Sequence, residues 1–376
     1  FKEQEGSFLV GMLAALSSKT GKVGFVGGMD IPLIRRFQCG YEQGAKFANP
    51  KVEVNGAMTG TTPSAWNDPT RGGELAKAQF AKGVDVVVDA RAVALVEDHG
   101  RIVGAVVRID NLNRFVKAAK GVVLATGGFV FNEEMRRKYC PETFKLRDPI
   151  GDKDDGSGIM LGLGAGGEAI HMEQFFTTCP WTMPESHANG VFVNVQGQRF
   201  INEDCYHGRV SRCAVDQGGG KVYLLLDNAN FVQPMDFARM TVAGTGDSWE
   251  EVEAELEMPK GTLSATMAFY NEHARAGRDP LFGKRAPILQ PLDSGPFIAL
   301  ELNFESSYFS FFTLGGLRTS TRAEVLDRAG HPVPGLYAAG RCTSGLPAWG
   351  HGYSSGMSLA DCTFFGRQAG RTAAKG

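Results

Sequence analysis

The stretch Asp155–Ile170, DGSGIMLGLGAGGEAI, decides how this chain is read. Its Gly162–Gly167 core, GLGAGG, has the G-x-G-x-x-G spacing of a dinucleotide phosphate turn, and no other stretch of the chain does. A phosphate turn needs a strand before it and a helix that starts at its glycines. Here the small residues open a helix near Gly156–Ile159, and the glycines close it. Gly166 or Gly167 suits a left-handed exit, and the other glycines allow close helix packing. The spacing therefore predicts a helix end, and a nucleotide site has to be sought elsewhere.

The surrounding composition is that of an ordinary globular chain. Of 376 residues, 43% are hydrophobic and 21% charged, and the formal net charge is -2, so no basic field argues for a nucleic-acid partner or an acidic membrane. The 49 glycines point to many turns or to backbone lying close to a ligand. Seven scattered cysteines form no C-x-x-C pair and no zinc spacing, which predicts reduced thiols, a cytoplasmic setting and no metal. No apolar run predicts a membrane span. The chain opens at Phe1 in an acidic, helix-like stretch with no signal peptide before it, as a fragment would.

Residues 1 to about 88 alternate helical and strand signals. GSFLVGMLAALSSK is apolar at helical spacing, with Ser7 as a candidate cap, and GKVGFVGG reads as a strand. A helix after Pro32, a strand at KVEVNGAMTG, a second helix at PTRGGELAKAQFAKG and a third strand at VDVVVDA complete a β-α-β-α-β pattern with a parallel sheet. From residue 89 the character changes. RAVALVEDHGRIVGAVVRID predicts a hairpin turning at His99-Gly100, and AAKGVVLATGGF a buried strand ending in a glycine pair. GVFVNVQGQRFINED predicts another hairpin, and the charged stretch from Ser248 to Gly277 an inserted two-helix subdomain. TRAEVLDRAGHPVPGLYAAG reads as hairpin then strand. A Gly-rich loop then leads into a helix with Ser354, Ser355 and Gly356 near its start, where free N–H groups favour an anion or electron-rich oxygen.

The motifs ATGGF, DGSGIMLGLGAGGE, GQRFINED, TLGGLRT, VLDRAGHPVPGLYAAGR and SSGMSLADCTFFGRQAG, in this order, resemble the flavoprotein subunit of the fumarate reductase / succinate dehydrogenase superfamily. The branch they most resemble contains the 3-ketosteroid Δ1-dehydrogenases. The resemblance runs from about residue 89 to the end. It implies FAD in a Rossmann-like domain under a mobile cap. It also implies cofactor contacts at Ala125, Thr126, Gly127 and Gly128, at Gly156 and Ser157, and at Gly340 and Arg341. Ser354, Ser355 and Gly356 flank the same helix start, and Ser358 and Leu359 would aim backbone N–H groups at flavin N1 and O2. Arg341 stands where many members carry Glu, and Ser157 where they carry Asp.

On the substrate side, Phe312 replaces the family His and Tyr353 the carboxylate-clamping Arg. Both changes argue against a dicarboxylate and for a neutral carbonyl compound, steroid-like by resemblance, with no electron acceptor specified. Tyr353 is the first candidate for proton transfer, followed by His207 and His351, each of which also reads as an ordinary loop or surface histidine. Arg199 and Glu203 read as a structural ion pair, and Tyr270, Trp249 and Phe269 as cap core.

Residues 1 to about 87 resemble a different family, the basic membrane lipoproteins, which are periplasmic nucleoside-binding components of ABC importers. The match rests on the near-continuous stretches from Phe1 to Val54 and from Gly60 to Val87. By that resemblance the loop Gly27–Phe37 borders a ligand cleft. The two resemblances meet between Ala81 and Gly100, as in a chimeric reading frame. The expected fold class is α/β: a partial periplasmic-binding-protein-like β-α-β-α-β segment, then an incomplete Rossmann-like FAD domain with an inserted α+β cap. The expected domains are 1–87, then 88–230 with 291–376, and 231–290 as cap. The expected function is an FAD-dependent oxidoreductase moving hydride to or from a carbon beside a carbonyl. The alternatives are a nucleoside or small-ligand binding module and a non-functional fusion.

Overall fold

A computed structural model describes residues 3–18, 21–61, 87–151, 153–182 and 184–375. The chain divides into two compact units, Phe1–Asp89 and Ala90–Gly376.

In the first unit, helix α1 (Glu3–Ser17) precedes strand β1 (Lys22–Met29), helix α2 (Pro32–Ala48) and strand β2 (Glu53–Gly60). Strands β1 and β2 pair in parallel, Lys22 opposite Glu53 and Met29 opposite Gly60. Pro32 supplies a preset φ at the first position of α2. The two helices meet through glycines. A Cβ at Gly11 would lie 2.0 Å from the Tyr41 carbonyl oxygen, and one at Gly44 1.8 Å from that of Phe8. Ser7 is not a cap: it lies within α1, and its hydroxyl donates to the Phe37 carbonyl at 2.6 Å. The second helix and third strand expected here fall on or against residues 62–86, outside the described residues. Residues 87–90 carry no strand.

The second unit opens with an antiparallel sheet of β3 (Arg91–Asp98), β4 (Arg101–Ile109) and β5 (Leu112–Lys117). The first turn is at His99 and Gly100, with φ of 49° and 75°, the pair of positive values that a two-residue hairpin favours. Strand β5 was not expected, because its six residues are all exposed and carry no apolar alternation. Strand β6 (Val122–Leu124) follows, then helix α3 (Glu133–Tyr139), strand β7 (Asp148–Pro149) and helix α4 (Ser157–Gly164). The expected buried strand is only half buried. Val123 is 40% exposed, because β6 is the edge of its sheet and pairs with one neighbour alone among the described residues.

Helix α4 ends as its glycines predict. Ala165 caps it, Gly166 has φ 90°, and the Gly167 N–H returns to the Gly162 carbonyl at 2.9 Å. This is a helix C-terminus closed by a left-handed glycine.

Next come β8 (Ala169–Ile170), β9 (Phe175–Thr178), β10 (Val191–Val193), helix α5 (His207–Val215), β11 (Lys221–Asp227) and β12 (Thr241–Gly246). Helices α6 (Trp249–Glu255) and α7 (Thr262–Arg275) precede β13 (Phe297–Asn303). Ser248 caps α6 by accepting the Glu251 N–H. Glu253, buried on α6, accepts N–H groups of Leu263 and Ser264 in the first turn of α7. That carboxylate takes up donors a helix start leaves unpaired. The sheet that packs with α6 and α7 extends beyond residues 231–290. It runs β10-β11-β13-β12, and three of those strands lie outside that range. The pairing of β13 with both β11 and β12 draws them in.

The chain closes with β14 (Ser310–Thr313), β15 (Gly316–Leu317), β16 (Glu324–Leu326), β17 (Pro332–Ala338) and helix α8 (Met357–Lys375). Strand β17 pairs in parallel with β6, Ala338 opposite Leu124, and antiparallel with β16. A core of Leu124, Ile159, Leu317, Val325 and Leu336 lies between this sheet and α4.

Candidate functional site

The carboxyl ends of the parallel strands β6 and β17 and the first turn of α8 belong to the second unit, and open α/β sheets place ligands at such strand ends. After β6, Ala125 and Thr126 are exposed. Gly127 has φ 76°, and a Cβ there would strike the Asp154 carboxylate at 2.5 Å. The Gly128 N–H donates to Asp154 at 3.2 Å. After β17, Gly340 also has φ 76°, and a Cβ there would stand 3.4 Å from Cys362 Sγ on α8. The loop is thus a cradle of bare backbone. That is what a flat ring or a polyanionic chain requires for close approach. Gly345 completes it: any side chain there would meet the buried Asp361 carboxylate, which accepts the Leu346 N–H at 2.7 Å.

Arg341, one of the expected cofactor contacts, follows Gly340 in the same loop. Its guanidinium pairs with Asp154 at 2.7 Å and lies 5.0 Å from the Phe312 ring centre. The Arg-for-Glu change is thereby matched by a carboxylate from another loop. Gly156 caps α4 with φ 74°, and its Cβ position is filled by Met135 and Phe129. Its N–H bonds to the Gly128 carbonyl at 3.0 Å, so it supports the cradle from beneath. The Ser157 N–H is taken by Asp155, which pairs with Arg91.

At the start of α8, Ser354 and Ser355 precede Gly356, which has φ 92°. Ser358 and Leu359 lie in the first turn, where N–H groups lack helical partners. The Leu359 side chain is 73% exposed. Two phenols converge here. Tyr353 donates to Ser358 Oγ at 3.0 Å, and the Tyr206 and Ser355 hydroxyls are 2.8 Å apart. Around them Phe176 lies 4.4 Å from Tyr353 and Phe312 5.6 Å, ring centre to ring centre, in one apolar cluster with Leu314. Burial raises the Tyr353 phenol above its ordinary pKa, while the Ser358 hydrogen bonds pull the other way. Tyr206 carries no distinguishing sequence signal. It follows GQRFINED closely, but its serine partner is 149 positions away.

The two histidines do not join this pair of phenols in one way. His207 bonds Thr178 Oγ1 through Nδ1, and its ring lies 4.2 Å from that of Tyr206. Burial pushes its pKa down to about 4, so it stays neutral at physiological pH. His351 turns aside to α5, its Nε2 2.7 Å from Asp216, which also binds Arg212. Its Nδ1 is buried without a partner among the described residues. Arg199 and Glu203 form the expected buried ion pair at 2.5 Å. Trp249 and Tyr270 are core residues, as expected, whereas Phe269 is 40% exposed.

Bare backbone at Gly127 and Gly340 leaves room for the close approach that FAD requires, and it lies in loops other than GLGAGG. Among the described residues no cluster of His, Cys, Asp or Glu could hold a metal ion, and no helix is long and apolar enough to cross a membrane.

Comparison with known proteins extends this. The FAD binding domain family matches residues 51–357. A probable fumarate reductase of Shewanella frigidimarina is 31% identical over 319 residues, covering 80% of this chain and 52% of that protein. An NADH:acrylate oxidoreductase of Vibrio harveyi is 32% identical, covering 77% of this chain and 30% of that protein. Among solved structures, the 3-ketosteroid-delta4-(5alpha)-dehydrogenase of Rhodococcus jostii RHA1, in complex with 4-androstene-3,17-dione, superposes with a TM-score of 0.69 at 31% identity. That comparison covers 92% of this chain and 64% of the other. The chain thus spans about half the length of the fumarate reductase relative. The family match runs through residues 81–100, where a seam was expected, and lends no support to a lipoprotein-like segment or a chimera. The chain belongs to the FAD binding domain family.

Proposed function

We propose that this chain is the catalytic part of an FAD-dependent oxidoreductase acting on the bond beside the carbonyl of a neutral ring compound. FAD, when bound, supplies the hydride chemistry. The chain's residues hold the substrate and manage the proton. The observation that carries this reading is the convergence of Tyr353 and Tyr206 on Ser358 and Ser355 inside an otherwise apolar wall. A phenol raised above its usual pKa stays protonated. It can donate to a carbonyl oxygen or pass a proton to a neighbouring carbon. The Ser358 hydroxyl holds Tyr353 in place, and Ser355 does the same for Tyr206. Phe176 and Phe312 exclude water and offer ring faces to an apolar substrate.

A dicarboxylate reading, which the fumarate reductase relative raises, suits the site less well. The guanidinium near Phe312 is Arg341, already neutralised by Asp154. A substrate carrying two carboxylates would bury charge without a free cation among the described residues beside Phe312. A ring ketone of the kind bound by the Rhodococcus dehydrogenase buries no charge.

The test uses the chain loaded with FAD and reduced without oxygen. Addition of 4-androstene-3,17-dione or its dehydro derivatives is expected to change the flavin absorbance, and fumarate to leave it unchanged. Tyr353→Phe is expected to slow the ketone reaction by about 10²- to 10⁴-fold with flavin content intact. A flavin that responds to fumarate and not to ring ketones overturns the proposal.

A further inference from the structure

We propose that the cap carries a second ligand site. It is the cavity of about 360 Å³ beside α7, and it takes a flat, apolar molecule ending in a neutral carbonyl. Its walls are Ala265, Phe269 and Tyr270 from α7 with Leu281 and Leu289 from the loop after it, and Arg199 lies at its polar end. None of the lining residues belongs to the Tyr353 cluster, so the proposal stands apart from the reaction assigned above.

The ligand class follows from which polar groups remain open. The Arg199 side chain is only 4% exposed. It spends Nε and one terminal nitrogen on Glu203, at 2.9 and 2.5 Å, and the other terminal nitrogen on Asp279 at 2.9 Å. A guanidinium has five N–H groups, so two stay without a protein acceptor among the described residues. The carboxylate nearby is engaged. Asp279 takes the Leu281, Phe282 and Lys284 N–H groups as well as Arg199. The hydroxyls of Tyr270 and Thr266 give their protons to the carbonyls of Gln290 and Gly197, so neither has a proton left for a ligand. The donors left for a ligand are therefore the two remaining N–H groups of buried Arg199, which lines the cavity, and the matching group is an acceptor.

That acceptor is neutral because the local charge is balanced. Arg199 and Lys284 face Glu203 and Asp279, two positive groups against two negative ones. An added carboxylate would be a buried charge in excess. Much of the wall is apolar and partly aromatic, and Phe269 packs against His273 with ring centres 4.2 Å apart. The volume sits at the small end of ligand cavities, which suits roughly two to four fused rings. A ring ketone and a quinone share this chemistry.

The test measures binding of 4-androstene-3,17-dione and of menadione to the FAD-loaded chain by calorimetry, with 1-naphthoate as the charged control. Ala265→Trp, on the cavity wall, and Leu281→Trp, at its 61% exposed rim, fill the space from positions that tolerate bulk. Either probe is expected to bind, and both variants to weaken it about tenfold or more, with the melting temperature and the Tyr353 reaction unchanged. Weakening by both variants of the ketone's binding, of the quinone's or of both identifies the source and supports the site. The proposal is overturned if neither probe binds at about 1 mM, if filling the cavity shifts affinity less than about twofold, or if naphthoate binds more tightly than both.

Discussion

A histidine that cannot take up its proton makes stability depend on pH. His207, between Thr178 and the Tyr206 ring, has its pKa pushed down from 6.5 to about 4 by burial. His187 is lowered too, for the same reason, with its ring held by the Trp181 and Val232 carbonyls. For a depressed histidine the unfolded chain binds the extra proton first. The stabilising contribution is therefore complete above about pH 6.5 and is lost as pH falls toward 4. For His207 alone the loss between pH 7 and pH 5 is on the order of 2 kcal/mol. Urea unfolding across that range is expected to show it, and His207→Gln to flatten the curve. A slope unchanged in the variant would remove His207 as its source. At this scale the sequence told part of the site. Tyr353 and the serines around α8 stood out because they sit in one contiguous motif. Tyr206, Asp154 and Phe176 did not, because each enters through tertiary pairing with residues far along the chain, and no local pattern marks such a partner.

The glycines of α4 differ by what surrounds each one. A Cβ on Gly162 would lie 2.4 Å from a methyl of fully buried Leu317, whereas one on Gly164 meets nothing within 4 Å. Gly162→Ala is expected to destabilise the second unit by about 1–3 kcal/mol through overpacking. Gly164→Ala is expected to stabilise it by roughly 0.5–1 kcal/mol, since alanine favours the helix and loses less entropy. Denaturant midpoints of the two variants moving in the same direction would contradict this account. The same distinction explains what could be read in advance at the level of elements. The end of α4, the His99-Gly100 hairpin and the Ser248 start of α6 were legible, because each depends on a residue type that its own backbone demands. Strand β5 and the full extent of the β10-β11-β13-β12 sheet were not. Both are set by edge pairing with a partner strand, which the polar residues of β5 do not announce.

Across the whole molecule, the boundary at Asp89/Ala90 separates two cores of unequal strength. The first unit's described core is small: Ala15, Ala45 and Val52, with Leu9, Leu13 and Leu16 of α1 left more than half exposed. The second unit buries three large clusters, including Phe175, Trp181, Phe192 and Phe311 in one of them. Apolar burial is the main stabilising term, so the first unit should unfold at lower temperature. The sequence signalled the change of character at residues 87–89 but assigned the two sides to different families. The FAD binding domain match crosses that point, so a shift in local pattern is a poor guide to ancestry. The cradle residues, Ala125–Gly128, Gly340 and the start of α8, all lie in the second unit. A ligand that binds only the folded form of one unit raises that unit's transition alone, by about 2.7 kcal/mol at a hundred times its Kd. Calorimetry is expected to resolve two transitions, with FAD raising the later one by several degrees and leaving the earlier in place. One transition that moves as a whole with FAD would mean that both units fold as a single cooperative body around the cofactor.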